Sequence, residues 1–420
     1  MKGIYYGWVI VGMGVLVKMT GLGFGRFAYP MLIPSMRGSL GFDYIEMGLL
    51  SGAIMLGYLL FSLIGGILAT RFGPKKIVLA SLLCAAISMF FISRLSGFPP
   101  LLFFNFAMGA GGAGAHISMT TLPMAWFEEK RLGRALGVVT GGTGLGIIVT
   151  GLLLPYLLSD LGTEAWRRCW LLLAVITFSV AIIGWILLRE KPDQIITLPS
   201  IEREDKESVP FMAKKDKLTL KAIFIIYFIF GFAYNIYATY FVAYMVEEIR
   251  LSEKTAGDIW AIFGWMCMGS GLIWGFLSDR LGRRKALLWD NGIIAFSVLL
   301  PLLLHQPFFL AFSALLFGFT FLGTVTIIAA SIGDRVSEKK ASVYGLVTLI
   351  HGIGQFLGTT FGGYLKELTG SFQYTLMSSL AGFLLCFLLS AISPLILPLS
   401  PERLCHKGKQ RGRGSQVPKL

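Results

Sequence analysis

Apolar residues run along the chain in long uninterrupted stretches, broken by short clusters of charge, glycine and proline. Crossing the hydrocarbon core of a bilayer takes about 20 residues of helix. Only a helix satisfies its own backbone there as an isolated segment. On that scale the pattern predicts twelve spans: 7–34, 45–69, 76–94, 99–124, 135–158, 167–188, 220–246, 256–278, 285–304, 307–331, 342–365 and 374–398. The longest polar stretch separates the sixth span from the seventh and contains IEREDKES and AKKDK. The expected organisation is a six-helix bundle over 1–188, a cytoplasmic linker over 189–219, a second six-helix bundle over 220–398, and a basic tail over 399–420.

Composition agrees with that pattern. The chain is 55% hydrophobic and 14% charged, whereas an ordinary soluble domain carries about 25% charge. The net charge of +14 does not point to nucleic acid, because the basic residues sit in short loops between apolar runs. With the N-terminus placed inside, 28 of the 37 Lys and Arg residues fall in inner loops and tails, and 7 in outer loops. That bias puts both termini in the cytoplasm of a protein of the plasma (inner) membrane. The five cysteines are scattered, with neither metal-site spacing nor an even count for a disulfide framework. The first apolar run continues past Lys18 to Ile33, too long for a cleaved signal core. No metal, cofactor, catalytic site or obligate protein partner is expected. The lipid bilayer is the surrounding partner.

The chain repeats itself. GILATRFGPKK (Gly66 to Lys76) follows the second span, and GFLSDRLGRRK (Gly275 to Lys285) follows the eighth, 209 residues later. GVVTGGTGLG (Gly137 to Gly146) and GLVTLIHGIG (Gly345 to Gly354) align at 208, at the starts of the fifth and eleventh spans. Two matches in one register imply two similar halves in the same orientation. In the loops, Gly73 and Gly282 permit a tight turn. Gly66 and Gly275 are expected to let helices approach closely.

GFLSDRLGRRK resembles the loop signature of the major facilitator superfamily, and with twelve spans in parallel halves the resemblance covers nearly the whole chain. It implies an all-α membrane fold of two pseudo-symmetric six-helix bundles. Spans one, four, seven and ten are then expected to line a central cavity, flanked by two, five, eight and eleven. It implies gating roles for Asp279, Arg280, Gly282, Arg283, Arg71 and Gly73. One departure stands out: the first loop copy has Thr70 where the superfamily has Asp. YGWV near the start, Ala165–Trp166–Arg167 and REKP from Arg189 resemble bacterial monocarboxylate and oxalate/formate-type members. GFGRFAYP in the first span resembles a separate bacterial branch.

GAGGAG (Gly109 to Gly114) matches a dinucleotide-binding pattern on paper, but it lies within an apolar helix with no preceding strand. Its expected role is helix packing. Lys18 and Arg26 carry more chemistry. They are the only two of the 37 basic residues placed within the membrane, where an unpaired charge is expensive and marks a pathway. Eight residues apart on a helix, they differ by roughly 80° and 12 Å, so both can face one cavity. The alternatives are that Lys18 snorkels and that Arg26 pairs with carbonyls or a carboxylate. The well-buried parts of the spans lack Asp and Glu, Asp290 being the deepest acid.

A cationic, acid-poor cavity is suited to an anion, with Arg supplying paired hydrogen bonds to a carboxylate. The expected substrate-binding set is Arg26, Lys18, Tyr29, Asn235, Tyr234, Tyr237, His116, His351 and Gln355. Each of these polar residues has interhelical hydrogen bonding as its alternative role. His116 and His351 are the candidates for carrying protons near neutral pH. The expected function is alternating-access transport of a small organic anion, a monocarboxylate above all, with proton coupling or anion exchange as the drive. The alternatives are efflux of apolar compounds and, from a different class, a non-transporting sensor.

Overall fold

The computed structural model describes residues 5–162, 164–190, 214–335 and 340–392. Among them every regular element is a helix. Helix α1 begins as Tyr6–Lys18, widens over Met19–Phe24, resumes as Gly25–Phe27 and continues after Ala28 as Tyr29–Leu40. Then come α2 (Tyr44–Phe72), α3 (Pro74–Ile92), α4 (Phe98–Trp126), α5 (Glu129–Leu161) and α6 (Ala165–Leu187). The second half holds α7 (Lys214–Ala243, extended by Tyr244–Glu248), α8 (Glu253–Leu281) and α9 (Arg283–Leu303). It is completed by α10 (Pro307–Thr320 and Gly323–Arg335), α11 (Lys340–Thr369) and α12 (Phe372–Ile392). Most of the linker and all of the tail expected from the sequence lie outside the described residues.

Ten of these twelve rods are long and apolar enough to cross a membrane. The other two, α4 and α11, are the helices that carry His116 and His351. Their shortfall in apolar character is what a helix turned toward a polar interior should show. Local signals fix the ends. Asp43 and Glu46 form a reciprocal capping box at the start of α2. Ser252 accepts from the Thr255 amide at the start of α8. Gly73 and Gly282 both take left-handed φ values, +89° and +82°, in the two repeated turns.

The repeat is visible in three dimensions. A Cβ on Gly146 of α5 would lie 2.6 Å from the Met19 carbonyl of α1, and one on Gly354 of α11 would lie 2.3 Å from the Phe228 carbonyl of α7. These are the same contact, displaced by 208 and 209 residues. One expectation fails: Gly66 has nothing within 4 Å, and Gly275 meets Thr326 only at ordinary van der Waals distance. The close approaches lie elsewhere. GAGGAG does pack as expected, with Gly109 against the Ile54 carbonyl and Gly112 against the Gly21 carbonyl.

The halves meet along two seams, α5 on α8 and α2 on α11. At the end of the molecule opposite the repeated turns, both seams are backbone on backbone. Gly151 abuts Gly257 across the first, and Gly363 abuts the Tyr44 carbonyl across the second. Polar contacts reinforce this end: Arg37 with Glu247 at 3.9 Å, and the Tyr44 amide with Glu367 at 3.1 Å. Toward the repeated turns the seams are filled by side chains, Leu272 beside Gly137 and Leu59 beside Gly352. The cavity opens on that wider side.

A side chain on Gly257 would stand 2.2 Å from the Gly151 carbonyl. Gly257→Val should therefore destabilise the closed seam by about 1–3 kcal/mol, the usual cost of overpacking. Gly66→Ala, in open space, should not lower stability. Thermal melts of the two purified variants in the same detergent check this contrast.

Candidate functional site

A cavity of about 420 Å³ lies between the halves. Its wall draws on α1, α2, α4, α5, α7, α8, α10 and α11, the helices that the superfamily resemblance implied. Among the described residues Arg26 is the only Lys or Arg in the wall, and no Asp or Glu takes part. Its guanidinium donates from Nη2 to the Tyr234 hydroxyl and to Asn235 Oδ1, the latter at 3.1 Å. It also lies 5.4 Å from the Tyr234 ring centroid. Among the described residues its hydrogen-bond partners are thus neutral and both from α7, with the Phe27 ring of α1 also 5.4 Å from the guanidinium.

Lys18 behaves differently. It is 2% exposed and absent from the cavity wall. Its ammonium sits 2.9 Å from His116 Nδ1 and 3.0 Å from the Thr120 hydroxyl, both on α4. His116 does reach the wall, so the lysine stands behind the histidine. Lys18 and Arg26 are held by different helices, α4 and α7. The wide helical stretch Met19–Phe24 lies between them, so the estimate of roughly 80° for a regular helix does not apply. Such stretches recur at functional sites. Here the glycines admit it: Gly23 packs directly on Gly146 of α5.

His351 is fixed from both sides. Its Nδ1 lies 3.0 Å from the Tyr227 carbonyl, and its Nε2 accepts from Gln355 Nε2 at 2.6 Å. With Nδ1 carrying the proton, both contacts are satisfied by a neutral ring. The Tyr227 ring stacks on it at 4.0 Å, nearly parallel. His351 and Gln355 both line the cavity, as does Tyr234.

Four of the nine expected residues are absent from the cavity wall: Lys18, Tyr29, Asn235 and Tyr237. Tyr29 is buried and donates to the Met47 carbonyl at 2.9 Å. Tyr237 shares a hydrogen bond with Ser313 at 2.7 Å and stacks on Phe317. Asn235 touches the cavity only through Arg26. Conversely, Tyr58, Tyr227, Phe230 and Phe321 line the wall and were not singled out from the sequence. Tyr227, Phe230 and Tyr234 follow each other by three and four residues, a helical stripe that could have disclosed the first two.

At the repeated turns, Arg283 donates to Asp279 at 2.5 Å and to Asp334 at 2.9 Å. Arg280 lies over Phe276 and Arg71 over Phe72. In the first copy Thr70 only bonds back to the Gly66 carbonyl. The carboxylate near this turn comes from Glu190, which accepts from the Lys75 amide at 3.0 Å beside Gly73.

Twelve helical rods in two repeated halves around a central cavity define a multi-pass membrane transporter of the major facilitator fold. The chain belongs to the family described as "Uncharacterised MFS-type transporter YbfB", whose model matches residues 18–391. Among curated relatives, the hexuronate transporter of Bacillus subtilis (strain 168) is 23% identical over 403 residues, covering 89% of this chain and 91% of that one. The "Probable nitrate/nitrite antiporter NarK1" of Thermus thermophilus is 25% identical over 434 residues, covering 96% and 93%. Among solved structures, a bacterial homolog of the human lysosomal transporter Spinster, titled inward-facing and occupied, superposes with a TM-score of 0.75 at 15% identity. That match covers 96% of this chain and all of the other.

The Lys18 cluster generates a contrast in stability. Replacing both members of a buried charged contact by apolar side chains is often neutral, whereas removing one member and leaving the charge unanswered costs about 3–5 kcal/mol. His116→Leu should therefore lower the melting temperature clearly, and adding Lys18→Met should restore most of the loss. Melts on the single and double variants decide; a double variant no more stable than His116→Leu would show that the stranded ammonium is not the cause.

Proposed function

We propose that this chain is a secondary transporter of a small organic anion, with a monocarboxylate as the cargo class. The observation that carries the reading is the wall of the cavity: one guanidinium, bound only by neutral groups, with no acid beside it. With Lys18 withdrawn behind His116, the cavity offers a single fixed positive charge. That charge matches a singly charged guest. A carboxylate can take two N–H donors of one guanidinium at once. Tyr227, Phe230 and Phe321 offer an apolar surface to the rest of the molecule. The two curated relatives described above are named for hexuronate and for nitrate or nitrite, all anions.

Alternating access follows from where the arginine is tied. Arg26 belongs to the first half, and Tyr234 and Asn235 to the second. An anion entering the cavity competes for the same donors and loosens a link between the halves. The two bundles, 1–188 and 220–398, then rock about the cavity on a cytoplasmic linker. The turns with Arg71, Gly73, Asp279, Arg280, Gly282 and Arg283 lie on the cytoplasmic side of the inner membrane, together with both termini. Proton symport would use His116, whose ring meets both the cavity and the Lys18 ammonium. His351 has both ring nitrogens engaged within the protein. The apolar share of the wall favours one competing reading, efflux of apolar compounds.

Uptake of labelled carboxylates into proteoliposomes, guided by a thermal-shift screen with acetate, lactate, pyruvate, glucuronate and nitrate, tests the proposal. Hydrogen bonds to a charged group contribute about 1.5–3 kcal/mol. Arg26→Gln should therefore weaken anion binding roughly ten- to hundredfold, with Arg26→Lys between the two. Undiminished anion transport by Arg26→Gln, or stabilisation by uncharged amphiphiles alone, overturns it.

A further inference from the structure

Asp290 of α9 takes no part in the cavity and is fully buried. Its Oδ2 accepts from the Thr324 hydroxyl at 2.6 Å. Its Oδ1 has no hydrogen-bond partner among the described residues. No ion pair among the described residues involves it. The charged groups described on the packed helices at this end lie elsewhere: Asp279 of α8 and Asp334 of α10 pair with Arg283, Arg280 of α8 lies over Phe276, Arg284 of α9 donates to the Ala391 carbonyl, and Lys285 of α9 is exposed. From α12 the buried titratable group is Cys386, whose thiol donates to the Ile226 carbonyl.

The place of this acid in the fold is specific. Helix α10 breaks at Phe321 and Leu322, and its second segment starts at Gly323. The backbone groups freed by the break are taken by α8: Trp274 donates to the Phe319 carbonyl at 2.9 Å, and Ser270 accepts from the Leu322 amide at 3.0 Å. Asp290 presses on the new helix start, where a Cβ on Gly323 would lie 1.9 Å from Oδ1. Phe321, Leu322 and Val325 on the other face of the break line the cavity. The repeat supplies the comparison. In the first half Ser81 presses on Gly114 of the unbroken α4 in the same way, and both positions are displaced by 209 residues. Packing in this niche needs only a small hydroxyl, so the carboxyl is an addition particular to the second half.

We propose that Asp290 is a proton-binding site whose occupancy is tied to the break in α10. Two effects oppose each other there. Burial without a counter-charge favours the neutral acid. The exposed amide end of a helix and the Thr324 hydroxyl favour the carboxylate. While α10 is broken, the helix start holds the charge. When α10 straightens, that start is gone and the acid takes up a proton. Proton binding thereby reshapes the cavity wall from behind, whichever solute the cavity accepts.

The test needs no cargo. Full-length protein in sodium-free lipid nanodiscs is titrated across pH while amide exchange in peptides spanning 319–325 is followed, corrected for intrinsic rates. A His116→Gln background removes the cavity histidine from the profile. The parent should show a one-proton transition in protection, with a protonated-carboxyl infrared band growing as pH falls. Asp290→Asn should hold the low-pH pattern at every pH and lose that band. Thr324→Val removes a donor to the carboxylate and should move the midpoint to higher pH; it serves alone if Asp290→Asn fails to fold. Identical profiles in parent and variants, or a response to sodium in place of protons, overturn the proposal. Either outcome leaves the Arg26 binding experiment standing by itself.

Discussion

A guanidinium at the depth of the lipid must be answered by something polar, and here the answer comes from its own repeat positions. Arg26 reaches Tyr234 and Asn235, which lie 208 and 209 residues further on, the very offsets of the internal repeat. The arginine therefore meets the symmetry mates of its own site, where the two halves face each other. A carboxylate partner at that point would close an ion pair within the protein and leave little for a guest. Phenol and amide oxygens hold the cation without neutralising it. On the proposed function, the site keeps its charge available and the link between the halves is one that an anion could displace.

That link works because the surrounding contacts are graded. Glycines bring the halves into backbone contact at one end, Gly151 on Gly257 and Gly363 on Tyr44. Arg37 and Glu247 and the bond from Tyr44 to Glu367 add polar closure there. Toward the repeated turns, side chains separate the same helices and the cavity has its opening. Lipid supplies no hydrophobic drive for helices to associate, so close packing and interhelical hydrogen bonds must do it. A seam that is tight at one end and loose at the other is then a state of the protein rather than a defect of packing.

Much of this was legible in the chain. Apolar runs gave the rods, and the GILATRFGPKK and GFLSDRLGRRK pair gave the repeat and its left-handed glycines. Arg26 stood out because charge within an apolar run is costly. The failures have local causes. Lys18 was expected beside Arg26 in the cavity, and it is held instead by His116 and Thr120 of α4; neither spacing nor composition announces which neighbouring helix offers the partners. Gly66 was expected at a helix contact and lies in open space within α2, while the turn is made by Gly73. Tyr58 was missed because an isolated tyrosine in α2 has no periodic companion. The break in α10 has no proline to mark it, being held by Ser270 and Trp274 from another helix.

Set side by side, the halves share a backbone and divide the charge. Lys18 and Arg26 belong to the first, and at the matching places the second has Ile226 or Tyr227, and Tyr234 or Asn235. Asp279 and Asp290 belong to the second, and the first has Thr70 and Ser81. Each charged residue thus has a neutral counterpart in an equivalent setting, which shows that the fold does not require the charge. What the fold cannot require, the working of the protein must. On the function proposed above, the cation at the cavity would attract an anion, and the acids near the repeated turns and the broken helix would take part in the change of shape. A symmetric pair of bundles could rock without either; the unequal charges are what would make one direction of rocking answer to solute and the other to protons.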